Sequence, residues 1–384
     1  MRNGFHVFDT DTHLELSAET IEKYFDAAMK PRLPELDKLK EPMRVSSSGT
    51  APAAGKHQYH LPGHVSYQRL LGEAGPASKP VRNLGRFSGS VNPTQGCSDD
   101  RPQARISDMD REGSDVHMML PGIPSNIFVW PEVEMQMGFI RAQHRMLDEF
   151  CAAYPHRLKS LLTVSAAAIE PCVEEIRRWG KAPWAVGVWP VTIDKPIDHP
   201  DFEPVWRACA DLDLAVIYHG YTWNPPYFPG HRDIWENVFL GRSVAHPWGA
   251  MRFTGAFIGA GIMDRYPALR CGILESCCSW LPFWARRLDD QAEYLGTVAA
   301  KHRLSDYLCG GRFFSSVELS EGQDLIRMTL EFMGEGTLMF ASDYPHAESM
   351  FPNSVDHFMS WERLSDGQKR AMTWDNPIRF YGEP

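Results

Sequence analysis

Two groups of acidic and imidazole side chains stand at opposite ends of this chain, Asp9-Thr10-Asp11-Thr12-His13 near the start and Asp343-Tyr344-Pro345-His346 near the finish. Carboxylates and imidazoles are the side chains that hold divalent cations and carry protons. Asp11 and His13 are two residues apart, so on an extended segment they leave one face and can reach one ion. Taken alone, that pair is better explained by a turn-capping aspartate beside a surface histidine. Two further residues of this kind each close an apolar run: His219 ends Leu214 to Tyr218, and Glu275 ends Cys271 to Leu274. A single histidine in that position is as readily a hydrogen-bonded core imidazole. Four separate strand ends carrying Asp, Glu or His make coincidence a poor account of the set.

Residues so far apart in sequence meet only if a sheet closes on itself. From about residue 112 the pattern alternates strand and helix, and with Phe5 to Asp9 it yields eight strands, the others being Val116 to Leu120, Leu158 to Val164, Ala185 to Trp189, Leu214 to His219, Leu269 to Glu275, Phe313 to Glu318 and Leu338 to Asp343. Amphipathic stretches such as Glu132 to Tyr154, Pro171 to Trp179 and Glu321 to Met333 read as the intervening helices. The expected fold is α/β, a (β/α)8 TIM barrel whose first and last strands are neighbours and whose strand carboxyl ends share one mouth. Residues 1–27 and 111–384 form that barrel in this reading. Residues 28–110, rich in Pro, Gly and Ser, form a long insertion after the first strand, a lid or an oligomer-contact segment.

At 384 residues and 43% hydrophobic the chain can bury a large core. A net charge of −10 without any Lys/Arg run argues against nucleic acid. The longest apolar stretches contain glycine and fall short of a membrane span, so the expectation is a cytoplasmic enzyme acting on a small molecule, a homodimer being possible. The 8 cysteines include no CxxC pair and read as small buried hydrophobes.

The segments Asp11-Thr12-His13, His219, Leu274-Glu275-Ser276 with Trp280-Leu281-Pro282, and Ser342-Asp343-Tyr344-Pro345-His346 together resemble the amidohydrolase-related (amidohydrolase family 2) group, which includes aminocarboxymuconate semialdehyde decarboxylase-like enzymes. The resemblance spans nearly the whole chain outside 28–110. It implies a metal-bearing barrel with ligands at Asp11, His13, His219 and Asp343, and an acid/base or further ligand at Glu275. Decarboxylases of this group usually begin with H-x-H and carry a catalytic histidine after the sixth strand, where this chain has Asp11 and Glu275. Trp189-Pro190 ends the fourth strand, so no lysine is there to be carbamylated as in binuclear relatives.

Charge then bears on the chemistry. Asp11, Glu275 and Asp343 contribute three negative charges if ionised, and one divalent ion would leave the cavity anionic, repelling a carboxylate substrate. Two ions reverse the sign, and a mixed carboxylate and imidazole set suits iron, with zinc or manganese as the other candidates. His57, His60, His64 and His246 are possible further ligands, His346 a catalytic proton carrier with Glu275, and Asp9 a partner orienting His13. Trp189, Tyr221 and Trp223 follow strand ends and suggest an apolar substrate pocket. Arg86 and Arg105 read as solvated loop arginines, or as contacts for an anionic substrate group. The preferred function on these grounds is a non-haem diiron monooxygenase that uses O2 to hydroxylate a hydrophobic small molecule. The alternative is a metal-dependent hydrolase or non-oxidative decarboxylase of a small carboxylated substrate. A non-catalytic binding barrel has little to recommend it, because nothing structural requires these groups to converge.

Overall fold

A computed structural model describes residues 2–42, 55–59, 99–122, 127–128, 130–191, 195–220, 243–244, 246–346 and 349–384. Eight parallel strands lie side by side in chain order: β1 (Phe8–His13), β4 (Val116–Leu120), β5 (Leu158–Ser165), β6 (Ala185–Val191), β7 (Ala215–His219), β8 (Cys271–Leu274), β9 (Phe313–Ser316) and β10 (Leu338–Met339). The remaining two, β2 (Lys40–Pro42) and β3 (His57–Tyr59), form an antiparallel hairpin within the expected insertion. Backbone bonds from Thr10 N to Phe340 O, from Asp343 N to Asp11 O and from His13 N to Tyr344 O, at 3.1, 3.0 and 2.7 Å, join the last strand's continuation to the first. The sheet is therefore a closed (β/α)8 barrel.

Strands buried on both faces need nearly continuous apolar sequence. Leu158–Ser165 is buried at every residue, and Val116–Leu120 likewise. The helices bury one stripe each: on Ile169–Trp179 the residues Ile169, Cys172, Val173 and Ile176 face inward at helical spacing. Helix Pro102–Glu112 begins with proline at its first turn and stops at Gly113, whose φ of 90° supplies the left-handed cap.

Most strand boundaries shift from the sequence-based expectation, and the two largest shifts concern the site. The first strand does not end at Asp9 but runs to His13, with a register shift between Asp9 and Thr12. Thr10 and Thr12 fit because their hydroxyls donate to Phe340 O and Met118 O on the flanking strands, at 2.7 and 2.9 Å. The last strand has only two residues in regular pairing, and Asp343 beyond it sits at φ 59°. The β2–β3 hairpin is seated against helices Ala18–Glu22 and Val133–Ala152: Tyr59 packs edge-on to Phe139 of the second with centroids 5.4 Å apart, and its hydroxyl donates to Glu22 of the first. Among the described residues no helix is long and apolar enough to cross a membrane.

Candidate metal centre

The strand ends bring the distant acids and imidazoles together. His13 Nε2 lies 3.0 Å from Asp343 Oδ1, 3.6 Å from Asp11 Oδ1 and 3.7 Å from Glu275 Oε2. His219 Nε2 lies 2.9 Å from Glu275 Oε2 and 3.7 Å from Asp11 Oδ1. His346 Nδ1 approaches Asp343 Oδ1 to 2.8 Å, and its ring lies over that of His13 with centroids 3.8 Å apart. Two groups emerge, His13, Glu275, Asp343 and His346 in one and Asp11, His13 and His219 in the other, each with its ligand-type atoms within 4.8 Å of one another.

Backbone conformation aims two of these carboxylates. Among the described non-glycine residues only five have positive φ, and Glu275 at 44° and Asp343 at 59° are two of them, with Cys277 at 56° close by. L-residues visit that region at a cost, so its use here points to positions the surroundings hold for function. The turn carrying Glu275 is held from below by Glu321, whose carboxylate accepts from Cys278 N and Ser279 N at 3.0 and 2.8 Å and from the Ser279 hydroxyl at 2.6 Å. The Tyr344–Pro345 peptide is cis.

Electrostatics mark the cluster as incomplete without a cation. Burial, then the neighbouring charges of Asp343 and Glu275, pushes the Asp11 carboxyl well above its usual range. Burial, reinforced by His346, lowers His13 to about 4. Burial opposes ionisation of Glu275, yet His219 and His246 outweigh it and hold that carboxyl well below normal. For His346 burial is likewise overcome, by Asp343, and its imidazole stays protonated well above the usual pH. Asp11 Oδ1, His13 Nε2 and both Asp343 carboxylate oxygens are buried without a well-formed hydrogen bond. Buried polar atoms that converge without hydrogen-bond partners cost free energy unless something else binds them. A mixed set of carboxylate oxygens and imidazole nitrogens fits a hard or borderline divalent ion.

The other sequence-derived candidates fall into three places. His246 begins helix His246–Gly259 and lies beside the cluster, its Nδ1 3.7 Å from Glu275 Oε1. Trp189 is buried within β6 and stands edge-on to His219, centroids 6.2 Å apart. His57 is on the β2–β3 hairpin with its ring bonded to Glu19 at 2.6 Å, apart from the gathered groups. His60, His64, Tyr221, Trp223 and Arg86 lie outside the described residues. Asp9 does not orient His13: its Oδ1 accepts from Ser342 N at 3.0 Å, bracing the approach to Asp343. Arg105 is neither solvated nor at the mouth but fully buried on helix Pro102–Glu112. Sequence reasoning missed Glu15, whose Oε1 is 3.5 Å from His346 Nε2, although its place two residues beyond His13 was a usable signal.

Close packing at the floor of the site gives one expectation. A Cβ on Gly220, directly after His219, would come 2.5 Å from Glu275 O and 3.1 Å from the His246 ring. Because the nearest atom is backbone, Gly220→Ala should cost about 1–3 kcal/mol and displace Glu275. Thermal unfolding together with titration of a divalent ion would register both; unchanged values would show the contact to be soft.

The amidohydrolase family model matches residues 9–382, and the chain belongs to that family. The fold is also that of several solved structures. A 5-carboxyvanillate decarboxylase from Sphingomonas paucimobilis is 19% identical, covers 99% of this chain and 100% of its own, and superposes with a TM-score of 0.69. An amidohydrolase from Mycobacterium avium subsp. paratuberculosis K-10 gives 18%, 99%, 100% and 0.70 for the same four measures. A dihydroxybenzoic acid decarboxylase from Polaromonas sp. JS666, with bound manganese and the inhibitor 2-nitroresorcinol, gives 16%, 98%, 97% and 0.67. Comparison with curated protein sequences gave no match.

Proposed function

We propose that this protein is a divalent-metal-dependent enzyme that removes carbon dioxide, without oxidation, from a small carboxylated and preferably aromatic substrate. The observation that carries the reading is the convergence of Asp11, His13, His219, Glu275 and Asp343 with His346 at the barrel mouth. Several proteins of the same fold support it, being decarboxylases, and some of them were solved with manganese. The diiron oxygenase preferred on charge grounds has no comparable support among them.

Asp11, His13, His219 and Asp343 would hold the cation, which supplies Lewis acidity toward an anionic substrate group. Glu275, kept ionised by His219 and His246, is a further ligand or a fixed negative charge. His346 is the proton donor in this reading. Its imidazolium, sustained by Asp343 and bordered by Glu15, delivers a proton to the substrate carbon as the carbon–carboxylate bond breaks and its electron pair stays on that carbon. The buried Trp189 ring offers an apolar wall. Because His13 belongs to both groups of donors, a pair of ions is the second reading, and metal content per chain separates the two.

The test is carbon dioxide release by manganese-loaded protein under argon from a panel of hydroxylated benzoates. The expected result is turnover that needs the metal and ignores oxygen. Iron-dependent turnover that requires oxygen would overturn this reading in favour of the oxygenase, and metal-dependent ester or lactone cleavage alone would move it to hydrolysis.

A further inference from the structure

Behind the cluster, where the first and last barrel strands meet, lies a buried cation not used in the chemistry above. Arg105 has no exposed surface. Its Nη2 donates to the carbonyl oxygen of His13, and its Nη1 reaches Thr12 Oγ1 at 3.5 Å and His117 Nδ1 at 3.3 Å. Asp99 receives Nε and Nη2 at 3.3 and 3.2 Å, a two-point pairing that fixes the guanidinium plane. Asp99 is in turn tied to Glu15 by both backbone groups: Glu15 N donates to its carboxylate at 3.0 Å, and Asp99 N donates to Glu15 O at 2.7 Å. On its remaining side the guanidinium lies over the Tyr344 ring, 5.0 Å from the centroid. Tyr344 follows Asp343, and its hydroxyl donates to Asp108 at 2.7 Å.

One side chain thus touches the backbone of His13, the side chain beside it, the carboxylate that holds Glu15, and the ring next to Asp343. A buried arginine is costly to desolvate unless fully paired, so its retention here calls for a task beyond packing. We propose that Arg105, anchored by Asp99, is a positioning residue that sets the spacing between the His13 and Asp343 sides of the metal centre, and so tunes metal affinity. The proposal rests on the metal-dependent reading given above. Lysine cannot replace it, because one ammonium cannot donate to His13 O while pairing with both Asp99 oxygens in a plane.

The experiment is calorimetric titration of Mn2+ into metal-free full-length protein, alongside thermal unfolding of the same samples. Loss of a residue that orients metal ligands typically lowers metal affinity by about 10–100-fold, and that range is expected for Arg105→Lys and for Asp99→Asn, the second serving if the first does not fold. Glu175→Gln is the comparison, since Glu175 pairs with buried His144 at 2.9 Å on helices outside the cluster. It should lower the unfolding temperature yet leave Mn2+ affinity unchanged. Variants of Arg105 and Asp99 that lose stability but bind Mn2+ like the wild type would overturn the positioning role alone. Failure of the wild type to bind Mn2+ would overturn the metal reading, and this proposal with it.

Discussion

Asp343→Asn is expected to fold normally, to purify without its divalent ion and to lose essentially all turnover. Asparagine suits the test because it tolerates the left-handed backbone that Asp343 occupies at φ 59°, whereas alanine would add a conformational penalty. The amide keeps the volume but removes the charge from the position His13 and His346 approach to 3.0 and 2.8 Å. Electrostatic help from a bound cation amounts to several kcal/mol, so the loss should be about 10³-fold or more at ~1.4 kcal/mol per decade. Circular dichroism, metal content and the anaerobic carbon dioxide assay together check it. A variant that retains both metal and turnover would remove Asp343 from the centre.

The second large effect concerns metal removal and its dependence on pH. In the metal-free protein burial raises Asp9 to about 7, burial with the charges of Asp343 and Glu275 holds Asp11 well above its usual range, and His346 stays protonated because Asp343 outweighs its burial. Above about pH 6.5, unfolded carboxyls are ionised and unfolded imidazoles neutral. There the folded metal-free protein retains protons that the unfolded chain has released, so its stability falls as pH rises. His13 and His117, both held neutral chiefly by burial, act in the opposite direction only below that pH. A bound cation replaces the proton retained on its ligand Asp11, so metal binding should release that proton and tighten with pH, while the His346 imidazolium is kept. The stability gap between metal-loaded and chelated protein is therefore expected to widen from pH 6.5 to 8, by about 1.4 kcal/mol per pH unit for each proton displaced. Chemical denaturation at several pH values measures the gap; a gap that narrows with pH would contradict the assignment of Asp11 as a ligand.

Much of this architecture could be read from the residues. Alternating apolar runs and amphipathic stretches located eight strands in their observed order, because both-face burial leaves a continuous hydrophobic signature. The terminal acids and imidazoles could be joined by barrel closure, and the distances among Asp11, His13, His219, Glu275 and Asp343 agree with that inference. Other features depend on tertiary context. Thr10 to His13 fell beyond the expected end of the first strand because aspartate is depleted in strands, yet the strand runs on to His13 with neighbouring carbonyls satisfying both threonine hydroxyls. Arg105 looked like a solvated loop cation because Asp99 and the His13 carbonyl, which make its burial tolerable, carry no recognisable spacing. The positive φ of Glu275 and Asp343 leaves no compositional trace, since glycine would have been its usual mark.

The hydrogen bond from His13 N to Tyr344 O joins backbone groups separated by nearly the whole molecule. During synthesis, the amino-terminal half of the centre emerges long before its carboxyl-terminal half exists. On the proposed reading, full coordination is then a late event, after the eighth barrel strand has docked, because a nascent chain stalled before β10 carries Asp11, His13, His219 and Glu275 but lacks Asp343.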